Sequence, residues 1–494
     1  MASSITEIDG SRSGRYDRSV ARPGAKFWLF LVLIPALAIV GGVSVLAWRQ
    51  TVPSVQAELV PTPRFLGVKT PLTVVLRAAR GGLVSAELRL VQGQGRAILA
   101  SPTFTGAPAE QRLDLTVEGR ATGLREGQAT LEVRARDNFW RLLRVDDRPV
   151  LTVPITLDFT PPTLEVLGST RYLAQGGGGL VALRARGASR VGVNAGGVFF
   201  PAVPAGPEGT GVMVAMLALP WDLAARASVS VLAQDEAGNS VTRGVPAEIK
   251  AKRFPRDTIE LKEEFLRDKV AELLPEKANA GPAELVPAFL RINRDQRKAA
   301  EQTKRELAAR SQPRPLWEGA FVQPRNTKVF SNFAETRSYR YQGQEVDVQV
   351  HLGFDLASSR HSPVPAANSG VVVFAAPLTI YGTTVVLDHG WGLQTLYAHL
   401  SSLSVKEGDK VEKGQELGRT GSTGLAVGDH LHYEVLIHGI PVTPLEWWDA
   451  RWIRDHIGRP LRDANLSSVM AGAAPASEDD DRVAARRRRG GRSR

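Results

Sequence analysis

Residues 27–48, FWLFLVLIPALAIVGGVSVLAW, form an uncharged apolar run that has few ways to fold. About 22 residues at ~1.5 Å each span ~33 Å, enough to cross a hydrocarbon core of ~30 Å as a helix. Trp28 and Trp48 lie near its ends, where aromatic side chains meet lipid headgroups, and Arg12, Arg15, Arg18, Arg22 and Lys26 precede it. Residues 1–26 therefore read as a cytoplasmic basic segment and 27–48 as a transmembrane helix. Everything after Arg49 is then external, which makes the chain a single-pass inner-membrane protein with its bulk in the periplasm. A cleaved signal peptide would need a shorter apolar stretch and a small-residue cleavage site. The sequence RQTVPSVQAEL that follows offers only a poor one.

The remaining length is too great for one core: 494 residues suggest three or four domains. The chain has no cysteine, which excludes disulfide frameworks, thiolate metal sites and cysteine nucleophiles together. Part of the net charge of +11 sits in an arginine-rich end, residues 482–494, just after Glu478-Asp-Asp-Asp481. Residues 451–494 read as a charged, disordered tail, with an anionic polymer or lipid as its partner if it has one. No nucleic-acid partner is expected.

Between residues 50 and 250, period-2 apolar alternation recurs between Gly/Pro turns, the pattern of β-sandwiches. A weak repeat, Ala129-Thr-Leu-Glu-Val-Arg-Ala-Arg-Asp137 against Ala227-Ser-Val-Ser-Val-Leu-Ala-Gln-Asp235, gives one copy per sandwich-sized stretch. Pro161 and Pro162 cannot continue a ladder, so the seam falls there and the two sandwiches occupy 50–158 and 159–250. Both resemble bacterial immunoglobulin-like modules. Residues 256–311 change character: a capping-box pattern at Asp257-Thr-Ile-Glu260 opens a helix that Pro275 stops, and a second runs from about 282 to 310. This is a helical linker. Short strand patterns return over 317–450, and the whole chain reads as mainly β.

All eight histidines lie between positions 351 and 456. Three clusters stand out: His351-Leu-Gly-Phe-Asp355, Tyr397-Ala-His399-Leu and His430-Leu-His432-Tyr-Glu. In a strand, His430 and His432 point to one face while Leu431, Tyr433 and Val435 point to the other. The even separation of His351 and Asp355 lets them converge if their segment is extended. Two histidines and a carboxylate make a three-ligand zinc site with an open position, and two further histidines remain for acid–base work. Spacing alone leaves open which of His430 and His432 touches the metal. Glu434 shares the face of His432 and is either a partner of that histidine or an ordinary sheet carboxylate. His361, His389, His438 and His456 read as loop, turn or surface residues.

Residues 317–448 resemble the catalytic domain of lysostaphin-type (LytM-like) peptidoglycan endopeptidases. The resemblance rests on His351-Leu-Gly353-Phe-Asp355, the hairpin punctuated by Gly408, Gly414 and Gly418, the turn Gly421-Ser-Thr-Gly424, and His430-Leu-His432. Phe333 and Arg337 resemble the family's entry strand, with Ala334 where the family usually has glycine. The resemblance implies that His351, Asp355 and His432 bind Zn2+ and that His399 and His430 are catalytic. It implies a membrane-anchored zinc metalloendopeptidase that cuts the stem-peptide cross-links of peptidoglycan. The competing expectations are a non-catalytic wall-binding module that activates a cell-wall amidase, and a purely structural envelope protein.

Overall fold

The structure, a computed structural model, describes residues 25–52, 55–141, 148–223 and 227–469. The basic run ahead of Ala25 and the arginine-rich end beyond residue 469 lie outside the described residues. The apolar run forms one helix, Ala25–Thr51, of which Val32–Thr51 is long and apolar enough to cross a membrane by length and composition. The rest of the fold is mainly β, divided into two compact units, Met1–Phe159 and Thr160–Arg494.

In the first unit a three-stranded antiparallel sheet has the order Val55–Leu59, Lys69–Ala78, Glu110–Glu118. A second, five-stranded sheet has Gly127–Asp137 at its centre, between Leu83–Gln92 and Leu151–Leu157. Alternate residues of both sheets turn inward. Val74 and Leu76 from one, with Leu88, Leu90, Leu131, Val133 and Ile155 from the other, make one buried apolar core.

The second unit begins with two four-stranded sheets. One is built on Gly178–Arg186 and Val212–Ala218, the other on Arg190–Ala195 and Val229–Gln234. Their apolar core is continuous with that of the C-terminal region: Leu217 and Ala218 belong to the same cluster as Ile437 and Trp447. The segment after residue 450, expected as a disordered tail, is helical over Ala450–Ile453 and Arg459–Asp463 and buries Ile453, Ile457 and Leu461. Thr170 donates its hydroxyl to the His456 carbonyl at 2.6 Å, fastening this segment to the first of the two sheets. The apolar i, i+4 spacing of Ile453, Ile457 and Leu461 gives it a face to bury despite its charges.

Helices occupy Glu263–Leu273, Pro282–Leu290 and Arg297–Ala308, the last two joined by a π-turn at Arg291–Gln296. The capping-box pattern does not open a helix. Arg256–Glu260 is a strand, parallel to Glu335–Tyr341, and the helix starts at Glu263. The C-terminal region is an eight-stranded sheet whose middle is Phe354–Ala357, Leu431–Ile437, Leu393–Ala398 and Thr383–Asp388. The strand Leu431–Ile437 is buried along its whole length, as a central strand with both faces covered must be.

Candidate active site

Strand register assembles the site. In Leu431–Ile437, His432 lies opposite Asp355 on one side and Ala398 on the other, so His399, the next residue, emerges beside it. His351 ends the strand Gln344–His351, and a break at Leu352-Gly353 turns the chain into Phe354–Ala357. His351 and Asp355 thus meet across a turn rather than along one extended segment. Gly353 makes the turn possible. A Cβ there would come within 2.5 Å of the Tyr433 carbonyl and 2.8 Å of His432 Nε2.

His351, Asp355 and His432 are all buried and offer one donor atom each within 4.8 Å of one another. His351 Nε2, Asp355 Oδ1 and His432 Nδ1 are each 2.9 Å apart. The outward nitrogens fix the tautomers. His351 Nδ1 donates to the Asn332 carbonyl at 2.9 Å, and His432 Nε2 donates to Glu434 Oε1 at 2.9 Å. Both inward nitrogens then carry lone pairs and face each other and a carboxylate. Three buried acceptors without a proton between them need a cation, and two imidazoles with one carboxylate suit a divalent metal such as zinc.

The electrostatics point the same way. Burial opposes ionisation of Asp355, yet the adjacent His351, with His430 and His432 beside it, holds its carboxyl well below the usual carboxylate range. Burial also opposes protonation of His432, but Asp355 and Glu434 outweigh it and raise its affinity for positive charge. Arg337 donates to Asp355 Oδ2 at 2.8 Å and to Glu335 at 3.1 Å, so only Oδ1 is turned toward the histidines.

His399 and His430 stand beside this cluster, their rings 4.8 Å apart. His399 Nδ1 donates to the Thr423 carbonyl at 2.8 Å and His430 Nδ1 to the Gly428 carbonyl at 2.7 Å. Their Nε2 atoms are left facing the cluster, and His430 Nε2 lies 3.5 Å from Asp355 Oδ1. Burial, reinforced by His430 and His432, keeps His399 well below its ordinary pKa and hence neutral. The histidines, Asp355, Tyr381 and Arg337 line one cleft of about 600 Å³, whose far wall comes from residues 257–265 and Arg297. Phe330, half exposed, stacks edge-on to His430 at its lip.

The other histidines lie away from the cluster. His389 is fully buried, bonded to the Ser369 carbonyl and the Thr395 hydroxyl. His438, expected at the surface, is half-buried against Phe200 because the second unit's first sheets cover it. His361 is exposed in a turn, and His456 stacks on Trp452. Glu434 is fully buried and touches His432 directly. Tyr381, Asn332 and Lys304, which also shape the site, carry no sequence pattern that marks them.

The sequence description of peptidase family M23 matches residues 349–444, the stretch that contains all five site residues. Over 117 residues the chain is 39% identical to the DD-carboxypeptidase/endopeptidase Mpg of Neisseria meningitidis serogroup B, covering 24% of this chain and 27% of that one. Over 119 residues it is 38% identical to the peptidoglycan DD-endopeptidase ShyA of Vibrio cholerae serotype O1, with the same two coverages, 24% and 27%. The chain thus spans about a quarter of the length of these curated relatives. Among solved structures, a putative peptidase M23 from Pseudomonas aeruginosa aligns at 21% identity and TM-score 0.36, over 56% of this chain and 95% of that one. At its C-terminal end, this chain carries a peptidase family M23 (LytM-like) domain.

Proposed function

We propose that this protein is a membrane-anchored zinc endopeptidase that hydrolyses the peptide cross-links of bacterial peptidoglycan. The observation that carries the reading is the buried cluster of His351, Asp355 and His432, flanked by His399 and His430 in one cleft. These three residues would hold the ion. When bound, zinc would polarise the scissile carbonyl and lower the pKa of a coordinated water.

The chain's own residues supply the rest. His399, held neutral by burial, takes a proton at Nε2 as water attacks the amide carbon. That proton then passes to the leaving amine nitrogen as the C–N bond breaks, directly or through His430 Nε2, whose ring is oriented by its Nδ1–H bond to Gly428 and which faces the developing oxyanion. The cleft wall of residues 257–265 excludes solvent from the peptide and fixes its direction. The helix Ala25–Thr51 anchors the protein in the inner membrane with the domain on the periplasmic side. The two sheet pairs are immunoglobulin-like spacers between membrane and wall, and the basic end binds anionic polymer or lipid.

The test is digestion of purified cross-linked sacculi by the full chain in detergent micelles, with mass analysis of the products. Soluble fragments bearing new amino termini at former cross-links are expected, and a chelator should stop their release until zinc is returned. Sacculi that bind the zinc-loaded chain but yield no fragments would favour the non-catalytic module instead.

A further inference from the structure

Lys304 lies on the helix Arg297–Ala308, outside residues 349–444, yet its side chain is completely buried beneath the metal-binding cluster. Its ammonium donates to Glu434 Oε2 at 2.8 Å, to Glu301 Oε1 at 2.6 Å and to the Tyr381 hydroxyl at 3.0 Å. Glu434 is equally buried. Its other oxygen accepts from the Tyr381 hydroxyl at 2.7 Å and from His432 Nε2 at 2.9 Å. Both oxygens of the Glu434 carboxylate are thus held, Oε2 by Lys304 and Oε1 by Tyr381 and His432.

We propose that Lys304 is a positioning residue for the metal site, acting through Glu434 to hold the His432 ring with Nδ1 toward His351 and Asp355. The helix that supplies it is then a working part of the catalytic centre rather than a linker. This inference rests on the zinc-site reading above. Its physical basis is the rigidity of charge-assisted hydrogen bonds between fully buried partners. Glu301, one turn before Lys304, steers the long aliphatic stem so that the ammonium arrives at Glu434 rather than at solvent. Partners that orient a metal-bound imidazole typically affect metal affinity by about 10–100-fold when removed.

The experiment uses the full chain in micelles, with zinc affinity measured by competition against a chromophoric chelator. Thermal unfolding of the metal-free protein and the visible spectrum of the Co2+-loaded protein are recorded in parallel. Lys304→Met should bind zinc about 10–100-fold more weakly and alter the Co2+ spectrum. Because that variant leaves Glu434 buried without its countercharge, the double variant Lys304→Met with Glu434→Gln serves as the folding control. It should unfold near the wild-type temperature, yet still bind zinc more weakly. Wild-type zinc affinity and an unchanged Co2+ spectrum in the double variant would overturn the proposal and leave Lys304 a packing residue. A wild-type chain that binds no zinc would overturn the zinc-site reading and this inference with it. That failure is seen in the wild type, so the two are distinguishable.

Discussion

The site divides its residues by what each does with a lone pair. His351, Asp355 and His432 turn theirs toward one point, whereas His399 and His430, each tied by Nδ1–H to a backbone carbonyl, flank that point within the cleft. Substituting the two groups should therefore give different defects. His399→Ala or His430→Ala is expected to lower turnover of cross-linked sacculi by about 10²–10⁴-fold while metal content stays at one equivalent. Loss of metal in either variant would move that residue into the ligand set. Gly353→Ala should impair both, because its Cβ would collide with the Tyr433 carbonyl and the His432 ring; zinc content measured after dialysis checks this. Much of this was legible in the sequence. The parity of His430, His432 and Glu434 puts them on one face of a strand, and Glu434 does touch His432. Lys304 was not legible: it lies 130 positions from Glu434, and nothing local marks a lysine as buried.

At the scale of elements, the two helical stretches fall near 263–273 and 282–308, as the sequence pattern placed them, but the first starts later than that pattern put it. Asp257-Thr-Ile-Glu260 has the composition of a helix start but forms a strand, because Glu335–Tyr341 offers it a free edge and Leu261 caps the pairing by donating to the Arg340 carbonyl at 2.7 Å. Tertiary pairing outweighed local preference. The same helices are bonded into the domain through Phe289, fully buried against Tyr339. Phe289→Ala should cost about 3–5 kcal/mol, measured by chemical denaturation of the full chain. A loss well under 1 kcal/mol would mean that the helices are not part of the cooperative unit. Residues 450–463 were misread for a related reason: the charges at Arg451, Arg454, Asp455 and Arg459 disguise an apolar face that only the neighbouring sheet reveals.

Across the whole second unit, one continuous core joins the sheets of residues 160–250 to the peptidase domain, and Glu446 lies where they meet. Its carboxyl accepts from the Gly178 N–H at 2.8 Å. Burial pushes it from an ordinary 4.5 up to about 8, against the opposing pull of that hydrogen bond and of Lys252. A raised carboxyl pKa means that the folded state holds a proton the unfolded chain has released. Stability contributed by this group is thus present below about pH 4.5 and is lost as pH rises toward 8. Glu446→Gln should flatten the fall in melting temperature between pH 5 and 8, and an unchanged slope would show that the carboxyl is not protonated in the fold. The shared core was not readable, since alternation shows that a face is buried and not what buries it. All of these scales converge on one ion. X-ray absorption at the zinc edge of the purified full chain tests it most directly: two imidazole nitrogens and one carboxylate oxygen at about 2.0–2.2 Å are predicted, with the signal lost in His432→Ala. A zinc shell without imidazole, or one unchanged by that substitution, would contradict the account.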